Sequence, residues 1–330
     1  MAAVEVQRIQ VIALDEKKSY GPRALGYAMV LCGGLLWAVG GVCGQQLFQA
    51  HNVTANWLIP IRILTAGSCL LLYSFFKYSP AAVFAIWKDR KDSKDLLLFL
   101  VFGSVASQYT YYTCIQYSNA AFATVLSYMF PAVILLYNMI HTRRAPRAFE
   151  FISVLLVTLG AITCATHWNF SAMPISALAL IIGIAAAVTA AYHTVKPQRL
   201  LRKYALTAIM GWAMTIGGGL LFLICRPWRM EVAVNTELVL LMSVIILGGT
   251  ILAFSFFQGG VRIIGSLAGS ILAAVEPIGA IVLTALLLRV PFTALDLLGF
   301  VLILATIPII ALGQNREAKE ALRAAQRAQE

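Results

Sequence analysis

Charged residues are scarce in this chain, and their scarcity argues against a soluble protein. Only 12% of the 330 residues are charged, 60% are hydrophobic, and the mean hydropathy is +0.83. A soluble domain of this length could not bury so much apolar surface in its core. The composition therefore predicts a polytopic membrane protein, in which apolar helices are joined by short loops.

Motifs for metals, disulfides and nucleotides are also missing from the sequence. None of the six cysteines belongs to a Cys-x-x-Cys pair, and the four histidines do not cluster. The glycine run Gly217–Gly219 lacks the lysine and the hydroxyl residue of a phosphate-binding loop. We therefore expect no cofactor and no metal. The loops are too short for a catalytic or receptor domain, so we expect neither an enzyme nor a sensor.

Ten apolar segments approach the length that a membrane-spanning helix needs, which is roughly 20 residues. Polar tails at residues 1–25 and 314–330 flank them, and the second tail has the composition of a short solvated helix. The predicted spans are Gly26–Leu47, Trp57–Phe76, Leu96–Gln116, Ala120–His141, Phe149–His167, Ile175–Val195, Ala205–Cys225, Leu238–Phe257, Gly265–Leu288 and Ala294–Gly313.

Lysine and arginine are distributed very unequally across the predicted loops. With a cytoplasmic N-terminus, 21 of the 25 fall in cytoplasmic segments, three fall in outer loops, and Arg62 lies inside a span. This is the bias that the positive-inside rule describes. It predicts a multi-pass protein of the cell membrane with both termini in the cytoplasm. It also accounts for the net charge of +11 without a nucleic-acid partner.

The second half of the chain repeats features of the first at a distance of 146 residues. Five spans per repeat is an odd number, so the second copy would begin on the opposite membrane face and the halves would be inverted. We therefore predict an all-α protein of ten transmembrane helices in two inverted five-helix repeats, residues 26–168 and 175–313. The matching pairs are Gly103 with Gly249, Pro131 with Pro277, Arg143 with Arg289, and Glu150 with Asp296.

The ninth predicted span contains the one carboxylate at mid-membrane depth, Glu276, directly before Pro277. An acid in such a position costs roughly 3 kcal/mol or more and normally faces a cavity or a partner. The proline lacks a backbone donor and frees a carbonyl one turn earlier, as Pro131 does in the fourth span. Glu276 is therefore the first candidate for binding a cationic group or a proton. The alternative is a protonated structural acid that hydrogen-bonds to the broken backbone.

Arg62 is the second candidate, because it lies inside the second span near its outer end. Its planar guanidinium can hold a substrate carboxylate through two parallel hydrogen bonds. The alternative is that its side chain extends to the outer interface or pairs within the scaffold.

The third span contributes a group of polar-tipped side chains. Gln108 and Tyr112 lie one helical turn apart and share a face with Tyr109 beside them, whereas Tyr111 is expected to point elsewhere. Such side chains suit a cavity that stacks rings or ammonium groups, and the alternative is an outer aromatic girdle. His193 is expected to be a hydrogen-bonded residue near the cytoplasmic surface. Further candidates for a substrate-binding cavity are Trp37, Tyr128 and Gln258.

The fourth and ninth predicted spans resemble those of the drug/metabolite transporter superfamily, specifically its EamA type. In both, small residues precede a proline and bulky apolar residues follow it, in NAAFATVLSYMFPAVILL and GSLAGSILAAVEPIGAIVLTALLL. Leu297–Leu304 resembles the family's tenth span, and Gly33–Trp37 with Gln45 resembles its first. The family often ends its fourth and ninth spans with Gly-Glu, a pair that this chain lacks at both places.

The resemblance implies a ten-helix secondary transporter that exports amino acids or related small metabolites by alternating access. An importer or exchanger of another small solute, such as a quaternary amine or a nucleotide sugar, is the alternative. The expected partners are a small-molecule substrate and the lipid bilayer, with protons as a candidate coupling ion. We expect a monomer, with a dimer as the alternative.

Overall fold

The computed structural model describes residues 23–142, 147–169, 175–201, 203–264, 272–273 and 275–327. These residues are almost entirely helical, and no strand occurs among them, which confirms the all-α prediction. Most of the predicted N-terminal tail 1–25, the first part of the predicted ninth span and Arg143 lie outside the described residues.

The described helices carry the labels α1 to α10 in chain order. Short helical turns at Pro80–Phe84, Ala85–Lys88, Gln198–Leu201 and Pro227–Arg229 lie between some of them. The labels stand for α1 (Arg23–Ala50), α2 (Ala55–Lys77), α3 (Arg90–Leu98, the π-helical Phe99–Val105, and Ala106–Tyr117), α4 (Ala120–Ser127 and Phe130–Thr142), α5 (Ala148–Thr166), α6 (Ala177–Val195), α7 (Leu206–Cys225), α8 (Thr236–Ser243, the π-helical Val244–Leu252, and Ala253–Ile264), α9 (Val275–Leu287) and α10 (Ala294–Arg327).

Several of these helices suit a membrane. Four described segments are long and apolar enough to cross one, and shorter apolar helices occur in α4, α5, α6, α9 and α10. The fold is therefore that of a polytopic membrane protein. The four long segments are Ala24–Ala50, Ala55–Lys77, Leu206–Arg229 and Thr236–Phe257.

The last helix differs from the prediction of a span followed by a separate short helix. Helix α10 runs without a break from Ala294 to Arg327, although it contains Pro308. The alanine-rich tail has strong helix formers, so it continues the preceding helix instead of starting a new one.

Side-chain caps set the starts of two helices in a similar way. At the start of α5, the Glu150 carboxylate accepts a hydrogen bond of 2.9 Å from the Arg147 backbone N–H. At the start of α10, the Asp296 carboxylate accepts one of 2.9 Å from the Thr293 N–H. An acidic residue in the first helical turn satisfies a backbone donor and interacts favourably with the helix dipole. The two acids that match in the sequence repeat therefore occupy the same kind of position in the structure.

Helices α2 and α7 pack closely because glycines lie at the interface between them. A Cβ atom added to Gly67 would lie 2.4 Å from the backbone nitrogen of Thr215, and one added to Gly218 would lie 2.5 Å from that of Leu64. Such contacts let helix backbones approach more closely than side chains would allow. By contrast, a Cβ on Gly219 would meet no atom within 4 Å.

The neighbouring glycines Gly218 and Gly219 provide a matched test of this packing. We expect Gly218→Ala to lower the free energy of unfolding by about 1–3 kcal/mol, because rigid backbone meets the new methyl group. We expect Gly219→Ala to be neutral or to raise it by up to about 1 kcal/mol through helix propensity. Thermal unfolding of the detergent-solubilised proteins measures both. Equal midpoints for the two variants would contradict the close packing of α2 and α7.

Candidate functional site

A cavity of about 510 Å³ is lined by residues of α1, α2, α3, α4, α6, α7, α8 and α9. Both sequence repeats therefore contribute to its wall, and none of the described lining residues belongs to α5 or α10. The predicted site residues that line it are Trp37, Arg62, Gln108, Tyr112, Tyr128 and Glu276.

Other predicted site residues lie elsewhere or are less fully described. Tyr109 does not line the cavity, and its hydroxyl donates a hydrogen bond to the Asn56 side chain. Gln258 lies in α8 and Pro131 in α4, but the side chains of these two are outside the described part of the structure. Pro277 is buried in the first turn of α9.

The structure adds Tyr111 and His193 to the cavity wall. The expectation that Tyr111 points elsewhere is wrong: residues 108, 111 and 112 lie three and four positions apart in an α-helical segment and share one face. The spacing of these three residues along the helix is the sequence signal that identifies Tyr111 as a cavity residue. His193 also faces the cavity instead of the surface, with its ring centroid 5.2 Å from that of Phe99 and 6.1 Å from that of Phe254.

Arg62 is held in place by two neighbours. Its Nε donates a hydrogen bond of 2.9 Å to the Thr250 hydroxyl, and its guanidinium carbon lies 4.5 Å from the centroid of the Tyr112 ring. The Tyr112 hydroxyl in turn donates to the Gly40 carbonyl at 3.2 Å. The residue is only 6% exposed, so its side chain does not extend to the interface. A cation over an aromatic face is stabilised by the ring quadrupole.

One part of the guanidinium remains without a partner. The Nη1 atom of Arg62 is buried and makes no hydrogen bond, and no described carboxylate lies within 4.0 Å of the side chain. A buried donor without a partner is costly, and that cost favours an acceptor on a ligand. This end of the cavity is therefore suited to an anionic group.

The π-helical stretch of α8 explains why Thr250 is available to Arg62. The Thr250 hydroxyl donates its own proton to the Ile245 carbonyl, five residues earlier, at 2.9 Å. Its oxygen is then free to accept from the Arg62 Nε. A π-helical segment often occurs at functional sites, since it redirects a few side chains within a longer helix.

Glu276 and Tyr128 meet where α4 is interrupted and α9 begins. The Tyr128 hydroxyl lies 2.9 Å from Oε2 of Glu276 and 2.7 Å from the carbonyl oxygen of Ala273. The Glu276 backbone N–H also donates to that carbonyl, at 3.0 Å. Ala273 is four residues before Pro277, so its carbonyl is the one that the proline leaves without its usual helical donor. Tyr128 supplies a replacement from the other half of the chain.

The remaining wall is strongly aromatic. The Trp37 ring centroid lies 5.0 Å from that of Phe257 and 5.6 Å from that of Phe254. Phe130 and Tyr111 line other parts of the same cavity. A surface of this kind accommodates an apolar or aromatic side chain and stacks cationic groups.

The segment between α6 and α7 forms part of the cavity wall. Pro197 and Leu201 of this segment line the cavity. Its basic side chains reach across to Asp92 and Asp95 at the start of α3. The hydrogen-bond donors are Arg199 to both carboxylates, Lys203 to Asp92 at 3.0 Å, Lys196 to Asp95 at 3.0 Å, and the Tyr204 hydroxyl to Asp92 at 2.7 Å.

This charged network holds its acids ionised. Burial alone would raise the pKa of Asp92, whose side chain is 1% exposed, but hydrogen bonds from Tyr204 and Lys203 and the charge of Arg199 outweigh it and lower the pKa. The pKa of Asp95 is lowered in the same way, against the effect of its burial, by Lys196 and Arg199. Burial and the neighbouring Asp92 raise the pKa of Tyr204 to about 12. The network therefore ties the start of α3 to the α6–α7 segment at neutral pH.

The described residues contain no cluster of three or more His, Cys, Asp or Glu side chains that could hold a metal ion. The polar groups around the cavity are instead spaced singly among apolar side chains. Such a wall suits a small organic solute.

Comparisons with known proteins match most of the chain to membrane transporters. The sequence model of the EamA-like transporter family matches residues 24–166 and again residues 177–312. The chain is 35% identical over 301 residues to an uncharacterized inner membrane transporter, YicL, of Salmonella typhimurium, and the match covers 91% of this chain and 100% of that protein. A protein of known crystal structure has a similar fold, with a TM-score of 0.60 and 16% identity over 88% of this chain and 97% of that one.

Proposed function

The chain belongs to the EamA-like transporter family, and from that premise we propose that it exports small metabolites such as amino acids across the cell membrane by alternating access. Family membership makes it a membrane transporter of small solutes. The direction of transport, the substrate class and the mechanism are the proposal.

The observation that carries this proposal is the chemical make-up of the cavity wall. The described lining residues combine the guanidinium of Arg62, the carboxyl group of Glu276 and a largely aromatic surface that includes Trp37. An amino acid has the complementary groups: a carboxylate for Arg62, an ammonium group that can approach Glu276, and a side chain for the aromatic surface. Tyr112, Tyr128 and Gln108 would complete the wall around it.

Alternating access requires two halves that can move relative to each other, and we propose that these are inverted repeats. The repeat distance of 146 residues recurs in the helix boundaries: α5 begins at Ala148 and α10 at Ala294. The same shift carries the π-helical Phe99–Val105 of α3 into the π-helical Val244–Leu252 of α8. Two halves of five spans each would be inverted in the membrane.

The packing of the helices supports the same symmetry. Helix α3 packs on α6, and its counterpart α8 packs on α1; likewise α4 packs on α6, and α9 packs on α1. Helix α3 also packs on α7 and α8 on α2, and two further contacts join equivalent helices to each other, α2 with α7 and α5 with α10. Exchange of the halves thus leaves this set of contacts unchanged, as expected for a pseudo-twofold axis.

Cysteine labelling tests the proposed topology, in which both termini are cytoplasmic. With intact cells and a reagent that does not cross the membrane, we expect single cysteines near residues 170 and 232 to be labelled. Cysteines near residues 90 and 200 should be labelled only after the cells are opened, because lysine and arginine hold these segments inside. Labelling of position 200 in intact cells would refute the orientation.

A growth-inhibition screen tests the proposed function. Cells that overproduce the protein should grow at higher concentrations of one or more toxic amino acids or their analogues than cells with an empty vector. Arg62→Gln should abolish this protection, because the carboxylate loses its buried partner. Tyr109→Phe, which changes a tyrosine outside the cavity, should retain it. Greater sensitivity in place of protection would indicate uptake, and protection confined to amines without a carboxylate would overturn the proposed substrate class.

A further inference from the structure

We infer that Glu276 is the binding site for a transported proton, and that it holds this proton in the conformation described; the coupling of this proton to solute movement rests on the proposed transport function. The inference rests on the number of protons needed to form hydrogen bonds between three neighbouring oxygen atoms. The oxygens belong to Glu276, Tyr128 and the Ala273 carbonyl.

A tyrosine hydroxyl has one proton to donate, whereas Tyr128 lies within hydrogen-bond distance of two acceptors. If Glu276 were ionised, both the carboxylate and the Ala273 carbonyl could only accept, and one of the two short oxygen contacts would contain no proton. If Glu276 is neutral, its own hydroxyl donates to the Tyr128 oxygen, and Tyr128 donates to Ala273. The protonated carboxyl places one proton in each of the 2.9 Å and 2.7 Å contacts, whereas the ionised form leaves a single proton for both.

The charges around Glu276 favour the same state. No described lysine, arginine or histidine nitrogen lies within 4.0 Å of its carboxyl group. Among the described residues, the titratable side chains that face it are Tyr128 of α4 and Tyr111 and Tyr112 of α3, while Arg62 and His193 lie elsewhere on the cavity wall. The adjoining residues 265–271 and 274, which the structure does not describe, include no ionisable side chain. A carboxylate without a counter-charge is costly at membrane depth.

The ionised form is nevertheless accessible, as a proton carrier requires. Glu276 lies in the first turn of α9, where the helix dipole stabilises a negative charge. When the carboxyl O–H bond breaks, the proton passes to water in the cavity, and the Tyr128 hydroxyl turns from Ala273 to the carboxylate. The Ala273 carbonyl then retains only the hydrogen bond from the Glu276 backbone N–H.

Proton loss would therefore change a contact between the break in α4 and the start of α9, which belong to different halves of the chain. Tyr128 lies between the two segments of α4, and Ala273 lies just before α9. The Tyr128–Ala273 hydrogen bond joins these two places only in the protonated state. An ammonium group on the solute can replace the proton at Glu276, which predicts exchange of one proton for one cationic group.

Infrared spectroscopy of the purified protein in lipid nanodiscs tests this site without a substrate. At neutral pH, we expect a carboxylic-acid C=O band that Glu276→Gln removes and that diminishes reversibly as the pH is raised. In Tyr128→Phe the band should persist but move to a higher wavenumber, because the acid loses its hydrogen-bond acceptor. Tyr109→Phe, the matched control outside the cavity, should leave the band unchanged.

The inference would be overturned by either of two results. Identical carboxylic-acid bands for the wild type and Glu276→Gln would mean that Glu276 is ionised. An unshifted band in Tyr128→Phe would mean that the acid is not bonded to this tyrosine, and this variant keeps the test decisive if Glu276→Gln does not fold. The infrared spectra do not depend on transport. A negative infrared result would therefore count against the proton site, and a negative growth screen would count against the proposed transport function.

Discussion

Solute flux through the Glu276→Gln protein is expected to lose its dependence on pH. The wild type, reconstituted in liposomes, should accumulate solute when a proton gradient is applied and should respond to the pH on each side. Glutamine cannot bind or release a proton, so the variant should not accumulate solute in response to a proton gradient. It should only let the solute move down the solute's own concentration gradient. The measurement is the initial rate of flux across a series of pH values, with the solute that the growth screen identifies.

Two other outcomes of this experiment are informative. Loss of solute binding together with flux would mean that the contact between Glu276 and the solute's ammonium group supplies most of the affinity, and wild-type flux at every pH would make the residue structural. His193 is the necessary control, because it also faces the cavity and an imidazole ring can bind a proton. The pH dependence should survive in His193→Gln.

The double variant Arg199→Met/Lys203→Met is expected to lose about 3 kcal/mol of unfolding free energy. This is the lower end of the range for breaking a buried ion pair, because the cations themselves are partly exposed. The loss is large because Asp92, which is 1% exposed, would remain buried without either cation. Asp92→Asn removes the buried charge as well as its hydrogen bonds, so we expect a smaller loss of about 1–2 kcal/mol.

The pH dependence of stability provides a further check on this network. Because the pKa values of Asp92 and Asp95 are lowered in the folded protein, their contribution is fully present above the unfolded value of about 3.9. It is lost as the pH falls through their folded pKa values. Thermal unfolding in detergent at pH 7 and under acid conditions measures both effects. A double variant as stable as Asp92→Asn would contradict the claim that Asp92 is strongly destabilising when it stays buried without Arg199 and Lys203.

Features encoded by local sequence were predictable here. The isolated acid Glu276 beside Pro277 identified a cavity residue, because an intramembrane charge and a missing backbone donor both require a partner. The spacing of Gln108 and Tyr112 identified one wall, although the same reasoning applied to Tyr111 would have included it. Tyr109, one position from Gln108, lies on another face of the helix.

Features that depend on tertiary contacts were not predictable. Nothing near Asp92 in the sequence indicates that its partners come from residues 199–204, because that contact exists only when α3 packs near the α6–α7 segment. The π-helical segments that position Thr250 have no known local signal either. The replacement of the Ala273 carbonyl's missing donor by Tyr128 joins residues 145 positions apart, and only the fold brings them together.

Accessibility of the cavity from the two membrane faces tests the central claim, that this cavity is the alternating transport site. Ser127 lines the cavity, and its hydroxyl donates only to the nearby Thr124 carbonyl among the hydrogen bonds described. In a protein without its six native cysteines, Ser127→Cys should react with a membrane-impermeant maleimide both in right-side-out and in inside-out vesicles. The transported solute should slow both reactions. Reaction from one face only, or from neither, would contradict alternating access through this cavity.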